Sequence, residues 1–552
     1  MPLMGSLYIG ASGLQSGQNA LNTTAHNLTN VDTTGFTRQQ TLLSSKRYIP
    51  ISRTPAAVSD QQYGIGVNLS AVRQVRDYFL DQTYRKESGR SMFYEASTDV
   101  LGEVENVLGE LNGEDFQTSS SDPWTAIQEL SKDPSSSVTQ GLLVQRSAEF
   151  INRANAVYQD LTNYQDNLNK QIKEKVTTIN QYGKQIQALN DQIRKIECGG
   201  IEHANDLRDT RNQILDELGK LCKMTYSEDS LGNVSVRIED SDFVRGDLFY
   251  EIGLDASDAT GFYTPFWIKD AEYTVLADGT KKYNIEGAEV FHLDQTVSSS
   301  LDTDIGGLKA LLLARGDHRA NYTDINNNYD SISQSIVMNV QAEFDQMIHH
   351  VTTKINSILA EVCDPSRGYM CDKDGSPLQL FQKITTDGYE KVTDANGNVT
   401  WKYAEEEPAR TDTLYTLGNL QVNANLLREP SMLSFKKADG SADYDTTGKL
   451  KAAFTEESYT LNPNVLKKTT FVDYYKDLVS QVSNTGYAFR NIYENQQTTV
   501  EATYNAREQI IGVSSEEELS NMIRFQNAYN ASSRYINVIN ELLEHIISTL
   551  AV

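Results

Sequence analysis

Hydrophobic residues at both ends of the chain recur every seven positions, a spacing typical of helices that pack lengthwise on other helices. In the N-terminal segment, the repeating residues are Leu7, Leu14, Leu21 and Leu28. In the C-terminal segment, they are Met522, Tyr529, Ile536, Leu543 and Leu550, and Phe525, Ser532, Ile539 and Ile546 follow the first four by three residues. The second set completes an a/d heptad seam.

Small residues give the N-terminal segment a face with room for a bulky partner. They include Gly10, Gly17 and Thr24. The bulky side chains of the C-terminal seam would fill the space beside them. A helix of about seven turns is marginal alone in water, so its stability must come from packing. We predict that the two ends pair, so that the rest of the chain leaves this helix pair and returns to it. The alternative, in which each end packs on a nearby domain, stays open on periodicity alone.

Between the ends, proline-free tracts predict long helices, interrupted by two stretches rich in strand and turn residues. Helices are expected from about 75 to 111, 138 to 196, 207 to 221, 322 to 358 and 471 to 512, with a final helix that opens on overlapping Ser514/Glu517 and Ser515/Glu518 capping boxes. The 138–196 helix has isoleucines at 172, 179, 186 and 193, with Tyr182, Leu189 and Ile196 three residues on.

The predicted fold class is mainly α with β-rich insertions: a terminal coiled-coil stalk and a long-helix bundle rod that carries two β-rich inserted regions. The predicted domains are 1–45 with 512–552 for the coiled coil; 46–223, 305–363 and 464–511 for the rod; and 224–304 and 364–463 for the insertions.

The overall charge narrows the possible partners. A formal net charge of −26 over 552 residues repels phosphate backbones and anionic lipid, so neither nucleic acid nor a membrane surface is an expected partner. No apolar run is long enough for membrane insertion, and the first residues do not form a secretory signal. Four cysteines in a chain of this length do not predict a disulfide framework.

A search for catalytic chemistry finds no motif with the required spacing. The chain lacks an H-E-x-x-H pair, a phosphate-binding loop and a G-x-S-x-G elbow. His349 and His350 are neighbours and would point about 100° apart on a helix. Asp372–Gly375 resembles the start of a calcium loop, but its glycine comes two residues early, so a hairpin turn is the better interpretation. We predict no catalytic, cofactor or metal residues, and the terminal stripes indicate assembly with copies or relatives.

Several segments resemble one protein family. The N-terminal signature of bacterial flagellar rod, hook and hook-associated proteins is similar to Ala11-Ser12-Gly13-Leu14, Asn27-Leu28-Thr29-Asn30-Val31 and Thr34-Gly35-Phe36. Further similar segments are Phe36-Thr37-Arg38-Gln39, Asn205-Asp206-Leu207-Arg208-Asp209 and Ile523-Arg524-Phe525-Gln526. His26 departs from the pattern, since Asn is frequent there. The resemblance covers both ends and the helical framework, roughly half of the chain, and Thr37-Arg38-Gln39 favours the hook-associated members over rod or hook subunits.

The resemblance implies a non-enzymatic junction protein of the extracellular flagellum, without cofactors. Such proteins leave the cytoplasm through the flagellar type III export apparatus with no cleaved signal, and an export chaperone binds their C-terminal helix. They assemble as a ring between the hook protein and the second hook-associated protein. The expected subunit-interface residues are Leu7, Leu14, Leu21, Asn27, Leu28, Asn30, Gly35, Phe36, Met522, Phe525, Tyr529, Ile536, Ile539 and Leu543.

Two alternatives remain. The chain could be a hook or distal-rod subunit, although Thr37-Arg38-Gln39 and the long isoleucine-striped helix argue against it. An insertion could instead carry an outward-facing enzyme or glycan-binding surface, for which Trp267 and Trp401 are the only hint, and packed core is the better interpretation of both.

Overall fold

The computed structural model describes residues 3–50, 62–109, 116–199, 202–257, 259–277, 279, 281–393, 399–437 and 439–550. The helices are α1 Leu3–Thr29, α2 Tyr78–Gly109, α3 Phe116–Lys132, α4 Ser137–Glu197, α5 Asn205–Leu221, α6 Gly307–Arg315, α7 Tyr322–Ile332, α8 Ile336–Glu361, α9 Ala424–Arg428, α10 Tyr444–Thr455, α11 Phe471–Ile511 and α12 Ser515–Leu550. The strands are β1 Gln39–Ser45, β2 Ile49–Pro50, β3 Gln62–Tyr63, β4 Val67–Gln74, β5 Met224–Glu228, β6 Val234–Ile238, β7 Ser241–Arg245, β8 Leu248–Phe249, β9 Ile252–Ala256, β10 Tyr263–Trp267, β11 Glu272–Val275, β12 Lys281–Asn284, β13 Phe381–Lys383, β14 Tyr389–Thr393, β15 Val399–Tyr403 and β16 Leu420–Val422. The fold is mainly α with β-rich insertions, as predicted.

The longest helix is α4, whose 61 residues match the predicted range closely. Its isoleucines at 172, 179, 186 and 193 are fully buried. The second set of predicted core residues in this helix, Tyr182, Leu189 and Ile196, is wrong. Val176, Gly183 and Asn190, four residues after the isoleucines, are buried instead, and Ile196 is 44% exposed. Gly183 explains the shift: a Cβ at this position would lie 2.5 Å from the Phe243 ring, so the glycine admits an aromatic side chain of the first insertion.

The core of the framework is aromatic where α3, α4, α8 and α11 meet. The Phe116 ring lies 4.8 Å from that of Tyr475 and 5.0 Å from that of Phe344, both edge-to-face. The Tyr475 hydroxyl donates to the Leu108 carbonyl at 2.6 Å, which ties α11 to the end of α2. The predicted end of α2 near residue 111 lies outside the described residues.

The first insertion consists of small antiparallel sheets. Strands β5 to β8 form one sheet in chain order, and β9–β10 and β11–β12 form two ribbons. Val234, Val236 and Ile238 of β6 are buried and alternate with more accessible residues. Asp278-Gly279 is a residue pair typical of hairpin turns; Gly279 has φ +83°, and Asp278 lies outside the described residues.

The second insertion, predicted as β-rich, contains helices as well as strands. It contains the ribbons β13–β16 and β14–β15, together with α9 and α10. Gly375 at φ +85° closes a turn through its N–H bond to the Asp372 carbonyl at 2.9 Å, so Asp372–Gly375 is the turn that we expected. Asn396-Gly397, another residue pair typical of turns, lies outside the described residues. The exact domain divisions remain predictions.

The segment after α1 forms extended strands in its described part. Strands β1 and β4 form an antiparallel ribbon with a register shift between Leu42 and Leu43. The ribbon lies along α1, where the Val67 N–H donates to the Ser12 hydroxyl at 3.2 Å. Within the described part of the chain, no helix is long and apolar enough to cross a membrane.

Candidate assembly site

The two chain ends form an antiparallel helix pair in which small residues of α1 face bulky residues of α12. A Cβ atom added at Gly10 would lie 2.5 Å from Cγ1 of Ile536. Added at Gly13, it would lie 2.5 Å from the Ser532 hydroxyl oxygen. The pairing predicted from the heptads is therefore confirmed.

The seam of α12 follows the predicted heptad as far as Leu543, beyond which the predicted Ile546 is exposed. The seam of α1 does not follow the leucines. The α12 residues that are at least half-buried include a series spaced by four and three positions: Glu518, Met522, Phe525, Tyr529, Ser532, Ile536, Ile539 and Leu543. The α1 residues that alternate in the same way are Ser6, Gly10, Gly13, Gly17, Ala20, Thr24 and Asn27. Leu7, Leu14, Leu21 and Leu28 lie one position further round the helix and are only half-buried. These leucines flank the seam, because the bulky side chains of α12 pack most closely against the small residues of α1.

The C-terminal end of α1 is fixed by asparagine side chains. Asn27, which is 1% exposed, donates to the Gln39 carbonyl at 2.8 Å and accepts from the Gln39 N–H at 3.0 Å. Asn30 donates to the His26 carbonyl at 2.9 Å. These bonds satisfy backbone groups where the helix ends and β1 begins. His26, the departure from the family pattern, packs edge-to-face on Phe36 at 5.4 Å.

Arg38 connects the start of the chain to the start of α12. Its guanidinium lies 2.8 Å from the Glu517 carboxylate and 2.9 Å from that of Glu518. The backbone N–H of Arg38 donates to the Ile511 carbonyl at 2.8 Å. The predicted Ser514 cap is present, since the Glu517 N–H donates to the Ser514 hydroxyl at 3.4 Å. Glu518, predicted as part of a second capping box, is 2% exposed and binds Arg38 instead, because burial favours the charged partner over a second cap.

A buried ionic network, which we call the junction cluster, lies where the terminal pair meets the framework. It consists of Thr37, Arg76, Asp81, Arg85, Asp209, Asp216 and Arg507. Arg507 of α11 lies 2.8 Å from both Asp81 of α2 and Asp216 of α5. Arg76 binds Asp81 at 2.8 Å and donates to the Thr37 hydroxyl at 3.1 Å. The cluster thus ties four segments, distant in sequence, to one point.

Charge pairing outweighs desolvation at Asp81. Burial opposes its ionisation, but the hydrogen bond from Arg76 and the positive charges of Arg76, Arg507 and Arg85 lower the pKa of Asp81. Burial dominates at Asp209, so its pKa is raised, although Thr37 donates to it. Of this cluster, the sequence motifs had singled out Thr37 and Asp209. The arginines and the other aspartates gave no periodic signal.

The outer face of α12 leaves large apolar side chains in solvent. The exposed fractions are 48% for Leu519, 61% for Ile523, 51% for Val538, 48% for Leu542 and 66% for Ile547. Exposed apolar patches of this kind mark interaction surfaces. The pair therefore offers one seam filled within the chain and a second apolar surface without a partner among the described residues.

The predicted interface residues occupy different parts of this site. Asn27 and Ile539 are buried inside the pair, and Gly35 is exposed in the loop after α1, where it has φ +79°. The others are half-buried along the pair or beside it: Leu7, Leu14, Leu21, Leu28, Asn30, Phe36, Met522, Phe525, Tyr529, Ile536 and Leu543. The structure brings all of them to the terminal pair and its loop. Their contact with other subunits remains a prediction.

The candidate chemical residues lie elsewhere in the chain. His349 stacks on Tyr322 at 3.7 Å, and burial lowers its pKa. No group of His, Cys, Asp or Glu that could hold a metal is found among the residues described. Trp267 is 3% exposed in the core, as expected, whereas Trp401 is half-buried on β15.

Three family models match the chain in order. Residues 7–37 match a flagella basal body rod protein, residues 101–365 the helical domain of the flagellar hook-associated protein FlgK, and residues 510–549 the C-terminal region of the flagellar basal body rod FlgEFG proteins. The first and last matches coincide with α1 and α12. The helical domain match covers most of the framework and the first insertion.

Relatives match over nearly the whole chain. The flagellar hook-associated protein 1 of Bacillus subtilis is 26% identical over 98% of this chain and 97% of its own length. That of Escherichia coli is 24% identical over 97% and 98%. The solved structure of the flagellar hook junction protein FlgK from Burkholderia pseudomallei covers 78% of this chain and 100% of its own, with 14% identity and a TM-score of 0.49.

The paired terminal helices and the order of the three matches define an axial protein of the bacterial flagellum. Within this class, the chain belongs to the flagellar hook-associated protein 1 family, a family of structural proteins.

Proposed function

We propose that this chain is the structural junction protein between the flagellar hook and the filament. The observation that carries the proposal is the match of FlgK relatives over nearly the full chain, with the two rod-type models falling on α1 and α12. In this role, the protein supports filament assembly and motility and catalyses no reaction.

The terminal pair is the assembly element of the proposed ring. Its inner seam is filled within one chain, so the exposed apolar residues of α12 must be covered by neighbours for the pair to be fully buried. Copies of the same chain cover them in the ring, because the same patch recurs on each subunit. The flanking leucines, Leu7 to Leu28, contribute to the same contacts. The hook protein binds on one side of the ring and the second hook-associated protein on the other.

In this proposal, the chain is exported before its two terminal helices pair. Helices of this size order through packing, so the ends stay unfolded while the chain travels through the type III export apparatus. A cytoplasmic export chaperone would bind the α12 seam from Met522 to Leu543. Because α1 fills the same seam in the folded chain, chaperone binding and helix pairing exclude each other. Release outside the cell then permits pairing.

Deletion of the gene in the source organism tests the junction role. We expect hooks without filaments and flagellin lost to the medium, and we expect the natural gene to restore filaments. Cells that lack hooks would instead identify a rod or hook subunit. Normal filaments in the deletion strain would contradict the proposal.

A further inference from the structure

Two cysteines lie side by side where α8 leads into the second insertion. The sulfur atoms of Cys363 and Cys371 are 2.8 Å apart. Between them, Asp364 and Tyr369 form an isolated antiparallel bridge with N–O distances of 2.9 and 3.1 Å. The two thiols are therefore held together by backbone pairing.

The backbone geometry explains why Cys371 faces Cys363. Gly368 has φ +62° in the turn that closes the bridge. Met370 has φ +50°, a conformation that L residues rarely adopt, and its side chain is fully buried in the core. The next residue, Cys371, is thereby brought beside Cys363. Its thiol also donates to the Tyr369 carbonyl at 3.2 Å.

The loop between the cysteines anchors separate parts of the second insertion. The Tyr369 hydroxyl donates to Asp443, the N-cap of α10, at 2.7 Å. Next to Cys371, the Asp372 carboxylate accepts from Asn423 at 3.1 Å and from Asn425 at 2.9 Å. Fixing this loop therefore fixes the base of the insertion.

We propose that Cys363 and Cys371 form an intrachain disulfide outside the cell, which locks the second insertion to the end of α8. In the reaction, the Cys363–Cys371 bond forms while the S–S bond of a small disulfide oxidant such as oxidised glutathione breaks. Two electrons and two protons pass from the protein thiols to the two sulfurs of the oxidant. Outside the cell, disulfides form and persist, whereas the cytosol keeps thiols reduced. Only this choice of compartment rests on the proposed function.

A raised thiol pKa keeps Cys363 slow to react in the folded chain. Burial, followed by the neighbouring Cys371 and Asp364, raises the pKa of Cys363 to about 12. Since the thiolate is the reacting form, oxidation is faster in a chain that is still folding than in one already folded. A chain that folds after export meets this condition.

The test uses the natural full-length chain, refolded with and without oxidised glutathione. Thiols are counted in denaturant with a chromogenic reagent, and peptides are mapped by mass spectrometry. We expect the count to fall from the four cysteines of the sequence to two, with a linked peptide that joins Cys363 to Cys371. The Cys363→Ser variant is the matched control and should keep its three thiols without forming dimers. A count of four in the oxidised natural chain, or linkage to Cys198, would overturn the proposal.

Two further measurements separate this inference from the flagellar role. The first is hydrogen exchange of the Leu378 amide, which donates to the Met370 carbonyl beside the loop. Because the disulfide closes a short loop, we expect this amide to exchange more slowly in the oxidised chain, by on the order of 50-fold or more. In detached flagella trapped with an alkylating reagent, the pair should be oxidised, and a reduced pair there would overturn the proposal. The refolding result does not depend on where the protein assembles, so the two proposals can fail independently.

Discussion

Gly17 lies directly opposite Tyr529 in the terminal pair. A Cβ atom at Gly17 would lie 3.3 Å from the Tyr529 Cβ and 3.4 Å from its backbone nitrogen. The two helices therefore approach each other closely along the small-residue face of α1. This contact, repeated at Gly10 and Gly13, is what makes the chain ends one structural unit.

Replacing Gly17 with leucine should separate the terminal pair. The larger side chain cannot fit against the α12 backbone, and overpacking of this kind costs about 1–3 kcal/mol. Limited proteolysis of α12 in the purified chain measures the effect as faster cleavage. Gly102→Ala is the matched control, because a Cβ there meets no atom within 4 Å; removing a helical glycine at an open position should stabilise the chain by about 0.5–1 kcal/mol. Unchanged proteolysis of the Gly17 variant would contradict the close packing.

Asn27→Ala should weaken the connection between α1 and β1. The substitution removes both hydrogen bonds to the Gln39 backbone and leaves these groups without their partner, at a cost of about 2 kcal/mol. Hydrogen exchange of the Gln39 amide should speed up accordingly. Asn22→Ala, on the exposed face of the same helix, should leave the exchange unchanged.

Arg507→Met should destabilise the framework strongly. It leaves the buried Asp81 and the half-buried Asp216 without the arginine that both bind, and removing one member of a buried ion pair costs about 3–5 kcal/mol. Urea unfolding measures this loss. Lys467→Met removes an exposed partner of Asp477 and should cost less than about 1 kcal/mol. Equal losses of unfolding free energy in the two variants would show that the junction cluster stabilises the framework no more than an exposed ion pair does.

Glu343 should make the framework less stable as pH rises above its ordinary pKa. Burial raises the pKa of Glu343 from 4.5 to about 7, although Asn462, Gln481 and Asn339 donate to it. Its stabilising contribution is therefore complete below pH 4.5 and lost as pH rises through about 7. Asp345, whose pKa burial raises to about 6, acts in an overlapping window with the same sign.

Glu343→Gln should flatten this pH dependence. We expect the fall in the free energy of unfolding between pH 4.5 and 8 to shrink by on the order of 2–3 kcal/mol. Urea unfolding at a series of pH values measures it, with the exposed Glu457→Gln as control. A variant with the full natural pH dependence would exclude Glu343 as its source.

Much of the helical framework and the terminal pairing could be predicted from the sequence, because both rest on periodic apolar patterns. The leucines of α1 misled the prediction at one point. Periodicity identifies a stripe, but it does not say that small residues beside the stripe give the closer helix contact, as Gly10 and Gly17 do. The same limit applied to α4, where Gly183 accepts aromatic rings from a distant insertion.

The junction cluster could not be predicted in full. Asp81, Asp216 and Arg507 are close only because α2, α5 and α11 converge, and single charged residues far apart in sequence give no pattern. The Cys363–Cys371 contact depended in the same way on a local bridge and on the positive φ of Met370. The contacts of the outer face of α12 with other subunits remain a prediction for the same reason, since they depend on chains beyond this one.

The most direct test of the assembly role changes the exposed face of α12 without touching the seam. A variant with Ile523→Asp and Leu542→Asp is compared in the deletion strain with a control that carries Val275→Asp and Leu276→Asp, an exposed apolar pair on the first insertion. Purified, both should keep the helicity and thermal stability of the natural chain. We predict that cells with the α12 variant secrete the protein but carry hooks without filaments, while the control restores filaments. Normal filaments with the α12 variant would contradict the claim that this face holds the subunits together.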